Sequence, residues 1–283
     1  MRNQPSKHTR PLRGVVFTDL DGTLLDHRTY SFAPARAALE TLKREGVPLV
    51  LCSSKTRAEL IRLQKLLGIR GPFISENGGA VFLSGAGDLE ALFPDRWAGL
   101  PAKVFGTPYD RLRDALVDLR EVFGLHLVGF GDVDAERVAS WTGLPREQAR
   151  LACARDFDEP FTWEPEPDTQ AQERVRQWLA TRDLTLTRGG RFWHLTGSND
   201  KGAAVRWLVA TLAELSGERP RSLALGDSEN DLPMLEAADQ GILVARPGGG
   251  HVEPRPTGVG TVAGIGPLGW SRAVLDWLAW LPG

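Results

Sequence analysis

The stretch VVFTDLDGTLLD, residues 15–26, ends an apolar run in two carboxylates, Asp19 and Asp21, with Leu20 between them. An apolar run of this kind suits a strand buried on both faces, and two anions at its end repel each other. GDSEND, residues 226–231, sets Asp227 and Asp231 behind a second apolar run, RSLAL. Brought to one rim, Asp19, Asp227 and Asp231 would hold about three negative charges. Each like pair at about 4 Å costs roughly 4 kcal/mol at an effective dielectric near 20. Such a cluster requires a cation. Oxygen ligands without His or Cys select a hard ion, and a small carboxylate site beside a phosphate favours Mg²⁺. Gly22 and Thr23 supply a tight turn whose backbone N–H groups can face phosphoryl oxygens. Lys201 adds a point charge and Ser53 a hydroxyl donor, so the chemistry in prospect is phosphoryl transfer.

These residues need elements that bring them together. GVVFTDL and VPLVLCSS read as buried strands, and APARAALETLKREG and TRAELIRLQKLLG as helices, the first stopped by Gly46. GPFISENGGAVFL reads as a strand leading through a glycine turn into another. Alternation resumes with DKGAAVRWLVATLAELSG as a helix, RSLALGDS as a strand, NDLPMLEAAD as a helix and QGILVA as a strand. This order predicts an α/β fold with a Rossmann-like doubly wound parallel sheet, its ligands gathered outside the carboxyl ends of the strands. Asp19, Ser53 and Asp227 then share that rim, and Lys201 opens a helix just past the apolar segment RFWHLTG. The middle of the chain is more polar and rich in Trp, Arg, Glu and Pro. It reads as an inserted α/β cap domain over 88–190, with 1–87 and 191–283 forming the core. GWSRAVLDWLAWL has helical spacing, and its tryptophans read as core.

Composition bounds the function. The chain has 283 residues, longer than a typical single domain, with 42% hydrophobic and 25% charged residues, an ordinary balance for a globular enzyme. A formal net charge of −2 argues against a protein built to hold nucleic acid. Its 2 cysteines, Cys52 and Cys153, show no framework spacing, which suits a reducing cytoplasm. The basic start MRNQPSKHTRPLR carries no apolar segment and reads as a frayed tail, neither signal peptide nor membrane anchor.

DLDGT at 19–23, the hydroxyl at Ser53, Lys201 in NDKG and GDSEND at 226–231 resemble, in order, the four motifs of the haloacid dehalogenase superfamily of phosphotransferases. The resemblance implies that Asp19 is the nucleophile and Asp21 the general acid and base. It implies Mg²⁺ held by the Asp19 and Asp227 carboxylates and the Asp21 carbonyl, with Asp231 completing or supporting the shell. The phosphoryl group would be bound by Ser53, Lys201 and the backbone at Leu20 and Asp21. An acid at Asp21 favours transfer to water or another hydroxyl.

The insertion lies where the sugar-phosphatase branch of that superfamily carries an α/β cap. CSSKTRAEL at 52–60, ISENGGAVF at 74–82, GFGDVDAERVASWTGLP at 129–145, ARDFDEPF at 154–161, GGRFWHLTG at 189–197 and GPLGWSRAV at 266–274 together resemble the mannosyl-3-phosphoglycerate phosphatase family. That resemblance implies hydrolysis of 2-O-mannosyl-3-phosphoglycerate, a small phosphorylated glycoside, to mannosylglycerate, a compatible solute. Its phosphate, carboxylate and ring hydroxyls call for cations and short polar acceptors. Lys55, Arg188, Arg191 and His194 offer charge, and Glu76, Asn77, Asp132 and Glu159 offer acceptors. All but Lys55 also have a plainer reading. Arg188 and Arg191 fit solvated hairpin ends, His194 a half-buried histidine, Glu76 and Asn77 a turn, and Asp132 the loop before a helix capped by Asp134. Glu159 fits an exposed turn. After QGILVA, the loop RPGGGHVEPRPTGVG replaces an Asn-rich turn of many relatives, and Arg246 within it is a candidate to reach substrate. Phosphatases for glucosyl-3-phosphoglycerate, sucrose phosphate or trehalose phosphate, a phosphohexomutase, and a non-catalytic sugar-phosphate sensor are the alternatives.

Overall fold

The computed structural model describes residues 12–189 and 191–282. The stretch read as a frayed tail lies, through residue 11, outside them. The strand Gly14–Thr18 is buried at every position, as expected for a strand covered on both faces. It pairs in parallel with Arg221–Gly226 on one side and Leu49–Leu51 on the other. Gln240–Ala245 and Gly260–Ile265 extend the parallel sheet beyond Arg221–Gly226. The chain thus leaves Gly14–Thr18 toward one edge of the sheet and later returns on its other side. That reversal places a crevice at the carboxyl end of Gly14–Thr18.

Alternate residues of these strands feed two cores. Val16, Leu51, Leu223 and Val244 meet the helices Arg36–Glu45 and Pro267–Trp280 on one face. Val15, Phe17, Val50, Ala224 and Leu243 meet Lys201–Ser216 and Leu232–Ala237 on the other. The parallel, doubly wound core is therefore as the apolar runs imply. Trp270 is fully buried and Trp277 nearly so, whereas Trp280, read as core, is 86% exposed at the last turn of its helix. The Trp270 indole N–H donates to Thr18 Oγ1 at 2.9 Å, which anchors the strand just before Asp19.

Two antiparallel sheets complete the fold. Gly71–Ser75, Ala80–Ser84, Leu100–Val104 and Asp95–Trp97 form one, joined to the parallel sheet by a parallel bridge between Cys52 and Ile74. Leu127–Gly129, Asp158–Trp163, Trp193–Gly197 and Leu184–Arg188 form the other. Helices Tyr109–Phe123 and Thr169–Ala180 cover this last sheet through Leu112, Leu116, Leu119, Val175 and Leu179. The expected boundaries at 88 and 190 cut through these pairings. Asp95–Trp97 and Leu100–Val104 pair on the core side, whereas Trp193–Gly197, which the expected boundary leaves in the core, is an inner strand of the cap sheet. Asp95–Trp97 is short and largely exposed, so its residues carry the polar character of an insertion. Burial under helices gives Trp193–Gly197 the apolar composition of a core strand.

Candidate active site

Asp19 sits directly after Gly14–Thr18, and its N–H donates to the Leu225 carbonyl at 2.8 Å, prolonging the ladder by one rung. The chain then turns at Gly22, whose φ of +85° is the left-handed conformation that glycine adopts without strain. A Cβ there would lie 2.7 Å from Asp227 Oδ2, so the turn requires glycine for space as well. Thr23 closes the turn by donating its hydroxyl to Asp227 Oδ1 at 3.3 Å. Two strand ends are thereby tied across the sheet.

Lys201 enters this rim from the first turn of Lys201–Ser216, a helix capped by the Asp200 carboxylate, which accepts from the Ala203 N–H at 2.8 Å. The Lys201 side chain is fully buried. Its Nζ donates to Asp19 Oδ1 at 2.8 Å and to Asp231 Oδ1 at 2.6 Å. The second Asp231 oxygen accepts from the N–H groups of Asp227 and Ser228, both at 3.0 Å, and from the Ser228 hydroxyl at 2.9 Å. Asp231 thus shapes the loop that presents Asp227.

Oxygen atoms of Asp19, Asp227 and Asp231 lie within 4.8 Å of one another. Burial, followed by the nearby Asp231 charge, holds the Asp19 carboxyl well above its ordinary range despite Lys201. The same two causes push Asp227 up to about 6, with Arg246 and Thr23 partly offsetting them. Burial disfavours the Lys201 charge, yet Asp19 and Asp231 outweigh it and keep the ammonium above its usual range. One lysine does not balance three buried acids. The oxygen-only donor set and the missing positive charge both fit a hard divalent cation such as Mg²⁺.

Ser53 is buried, with its hydroxyl accepting the Lys55 N–H at 3.3 Å. Lys55 reaches back to Asp21, its Nζ 2.7 Å from Oδ2. The other Asp21 oxygen, Oδ1, is buried and without a hydrogen-bond partner among the described residues. Beside it opens a cavity of about 250 Å³. Asp21, Tyr30 and Lys55 line it from the core, and Arg155, Arg191 and His194 from the cap.

Three of the eight expected substrate residues, Lys55, Arg191 and His194, therefore meet in this cavity. The other five lie elsewhere, each for a definite reason. Glu76 is wholly buried and accepts from the Asp156 N–H at 3.0 Å and the Phe157 N–H at 2.5 Å, clamping the cap to the core. Burial pushes its carboxyl up to about 8. Asn77 Oδ1 accepts from Asn230 Nδ2 at 3.0 Å and steadies the Asp227 loop. Asp132 is held by Arg113, Arg120 and the Gly129 N–H. Glu159, read alternatively as an exposed turn, is fully buried, bound by the Tyr109 hydroxyl and Arg113, each at 2.5 Å. Arg188 pairs with Glu166 at 3.5 Å and lies over the Trp193 ring. Arg246 does not enter the cavity either. Its Nε donates to the Asp227 carbonyl at 2.7 Å and its Nη2 to Glu229 at 3.0 Å.

A profile of haloacid dehalogenase-like hydrolases matches residues 16–88. A glucosyl-3-phosphoglycerate/mannosyl-3-phosphoglycerate phosphatase of Methanococcoides burtonii is 44% identical over 268 residues, covering 94% of this chain and 97% of that protein. An enzyme of the same name from Persephonella marina is 38% identical over 271 residues, covering 92% and 95%. The chain belongs to this family of haloacid dehalogenase-like phosphatases. A solved haloacid dehalogenase-like hydrolase from Bacteroides thetaiotaomicron shares the phosphatase's fold, with a TM-score of 0.63 and 18% identity over 93% of this chain and 99% of that one.

Several residues of the phosphatase's cavity escape a reading of the sequence. Arg155, which lines the cavity, and its fully buried partner Asp158 sit in ARDFDEPF, where Glu159 draws attention first because it is the acid next to proline. Their signal is the charge alternation Arg155, Asp156, Asp158 in a segment flanked by aromatic residues. Tyr30 and Ser54 lie in loops with no pattern to mark them. Asp134 does cap its helix, accepting from the Arg137 N–H at 2.9 Å. Both cysteines are free thiols, and no described helix is long and apolar enough to cross a membrane.

Proposed function

We propose that the phosphatase hydrolyses 2-O-mannosyl-3-phosphoglycerate and its glucosyl counterpart, releasing phosphate and the glycosylglycerate, in an Mg²⁺-dependent reaction. The observation that carries this reading is the meeting of Asp19, Lys201, Asp227 and Asp231 at one buried rim, with Asp21 between that rim and the cavity. The names of the two relatives support the substrate class.

In this reading the Asp19 carboxylate attacks phosphorus and forms an aspartyl phosphate as the bond to the leaving oxygen breaks. Asp21, whose Oδ1 is without a partner, gives its proton to that leaving alkoxide and then takes one from the water that attacks the phosphoenzyme. Lys55 keeps the Asp21 side chain in place. Lys201, the Ser53 hydroxyl and the N–H groups of Leu20 and Asp21 hold the phosphoryl oxygens. Asp19, Asp227 and the Asp21 carbonyl, with Asp231 in support, would hold Mg²⁺, which supplies positive charge to the phosphoryl group and to the clustered acids. The cap closes the far end of the cavity and limits access of water.

The test is phosphate release from equal concentrations of mannosyl- and glucosyl-3-phosphoglycerate, hexose phosphates and free 3-phosphoglycerate, with and without a chelator. The two glycosylated acids should dominate and chelation should stop the reaction. Interconversion of hexose phosphates with little phosphate release would point to a mutase instead.

A further inference from the structure

Four basic side chains line the cavity, and each has a partner in the protein. Lys55 is paired with Asp21. Arg191 stands at the exposed edge and donates from Nη1 to the Thr142 carbonyl at 2.6 Å. His194 is turned toward the protein, its Nδ1 3.0 Å from both oxygens of Asp158. Arg155 differs. Its side chain is only 8% exposed, and that small exposure belongs to a residue lining the cavity.

Arg155 is also the most firmly fixed of the four. Its Nε donates to the Ala152 carbonyl at 2.8 Å, and its Nη1 to the Ser54 carbonyl at 3.1 Å and to Asp158 Oδ2 at 3.3 Å. The guanidinium plane therefore bridges cap and core, and Nη2 donates to none of the described residues. A guanidinium fixed along one side and free on another is prepared to bind a planar anion without further loss of side-chain freedom.

The acids around Arg155 have partners of their own. The acids acting on Arg155 are Asp158, Glu76, Glu59 and Glu159. Glu159 belongs to Arg113 and Tyr109, and Glu59 accepts the Thr56 N–H at 2.9 Å at the start of its helix. Glu76 keeps its proton near neutrality, because burial pushes it up to about 8. Asp158 remains, and it is shared with His194. Asp158 meets Arg155 only through Nη1, so Nη2 stays open to a carboxylate brought in by a ligand.

We propose that Arg155, fixed by Ala152, Ser54 and Asp158, is the carboxylate receptor of the cavity and selects phosphate esters whose leaving group is itself an acid over neutral sugar phosphates. This rests on the function proposed above. It deepens that reading by assigning one residue to the acid group of the substrate, whichever hexose it carries.

The experiment compares glucosyl-3-phosphoglycerate with its carboxyl methyl ester, which keeps the sugar and the phosphate and removes one charge. Initial rates are measured on the intact chain and on Arg155→Met and Arg155→Lys, with circular dichroism as a check on folding. The unaltered enzyme should prefer the free acid by tenfold or more in kcat/KM, mostly through KM. Arg155→Met should bring that ratio to within about twofold of unity, and Arg155→Lys, which keeps a charge but loses the fork, should give an intermediate value. Where Arg155→Met does not fold, the Arg155→Lys ratio decides. An unchanged preference in a folded variant overturns the assignment, as does an unaltered enzyme that treats acid and ester alike. Failure of the unaltered enzyme to release phosphate from any phosphoglycerate glycoside overturns the substrate reading and the receptor with it.

Discussion

Lys201 Nζ lies 2.8 Å from Asp19 Oδ1, although 182 positions separate the two residues along the chain. The contact exists because a helix start and a strand end meet at one rim of a parallel sheet, and it sets a lysine against the proposed nucleophile.

Replacing Asp19 with Asn removes the attacking carboxylate but keeps the shape and a hydrogen-bond acceptor for Lys201. Phosphate release should fall by on the order of 10⁴-fold or more. The melting temperature should stay level or rise, since one of three mutually repelling acids becomes neutral. A purified variant that keeps more than a tenth of the activity would sink the nucleophile assignment.

Lys201→Met leaves Asp19 and Asp231 buried without their shared cation. Breaking a buried ion pair from one side costs about 3–5 kcal/mol. Denaturant melts in chelator should show that loss, and millimolar Mg²⁺ should restore part of it by supplying charge to the same oxygens and by mass action. Equal midpoints for variant and parent without metal would contradict the charge imbalance at this rim.

Gly22→Ala puts a Cβ 2.7 Å from Asp227 Oδ2 and forces alanine to adopt a φ of +85°. The strain should cost about 1–3 kcal/mol. Displacement of Asp227 should also reduce the thermal shift produced by Mg²⁺. A variant with the parent's full metal-induced shift would show that the Gly22 turn does not set the position of Asp227.

Glu76 gives a pH dependence whose sign follows from its protonation. Below its ordinary value of 4.5 the folded and unfolded chains both hold the proton. Between there and about 8 the folded chain keeps it while the unfolded chain releases it, so this contribution to stability declines as pH rises and levels off above about 8. Relative to Glu76→Gln, the parent should therefore lose at least ~3 °C of melting temperature between pH 5 and pH 8. Parallel melting curves for the two proteins across that range would refute it.

Much of the acidic rim is legible because parallel strands buried on both faces are written as continuous apolar runs, and the residues that follow such runs fall at one edge. DLDGT and GDSEND meet for that reason alone. The cap was legible as an insertion but not in detail. Whether Asp132 and Glu159 face a ligand or a neighbour depends on Arg113 and Arg120 of the helix Tyr109–Phe123, a separate element from the segments that carry the two acids. No local pattern encodes which face of that helix they occupy. Arg188 was lost to the register of a hairpin, which sets it over Trp193. Trp193–Gly197 shows that an apolar run specifies burial and leaves the choice of sheet to long-range pairing.

The Glu76 carboxyl group holds the backbone of Asp156 and Phe157, Arg57 meets the Asp156 carboxylate at 3.0 Å, and the Trp97 indole donates to that same carboxylate at 2.8 Å. These ties join the two halves midway along the inserted segment, far in sequence from both places where the chain crosses between them. Splicing out the insert would expose a floor of charged groups whose partners had left with it, rather than yield a smaller working enzyme. The protein should accordingly melt in one cooperative transition, with neither half persisting after the other is lost.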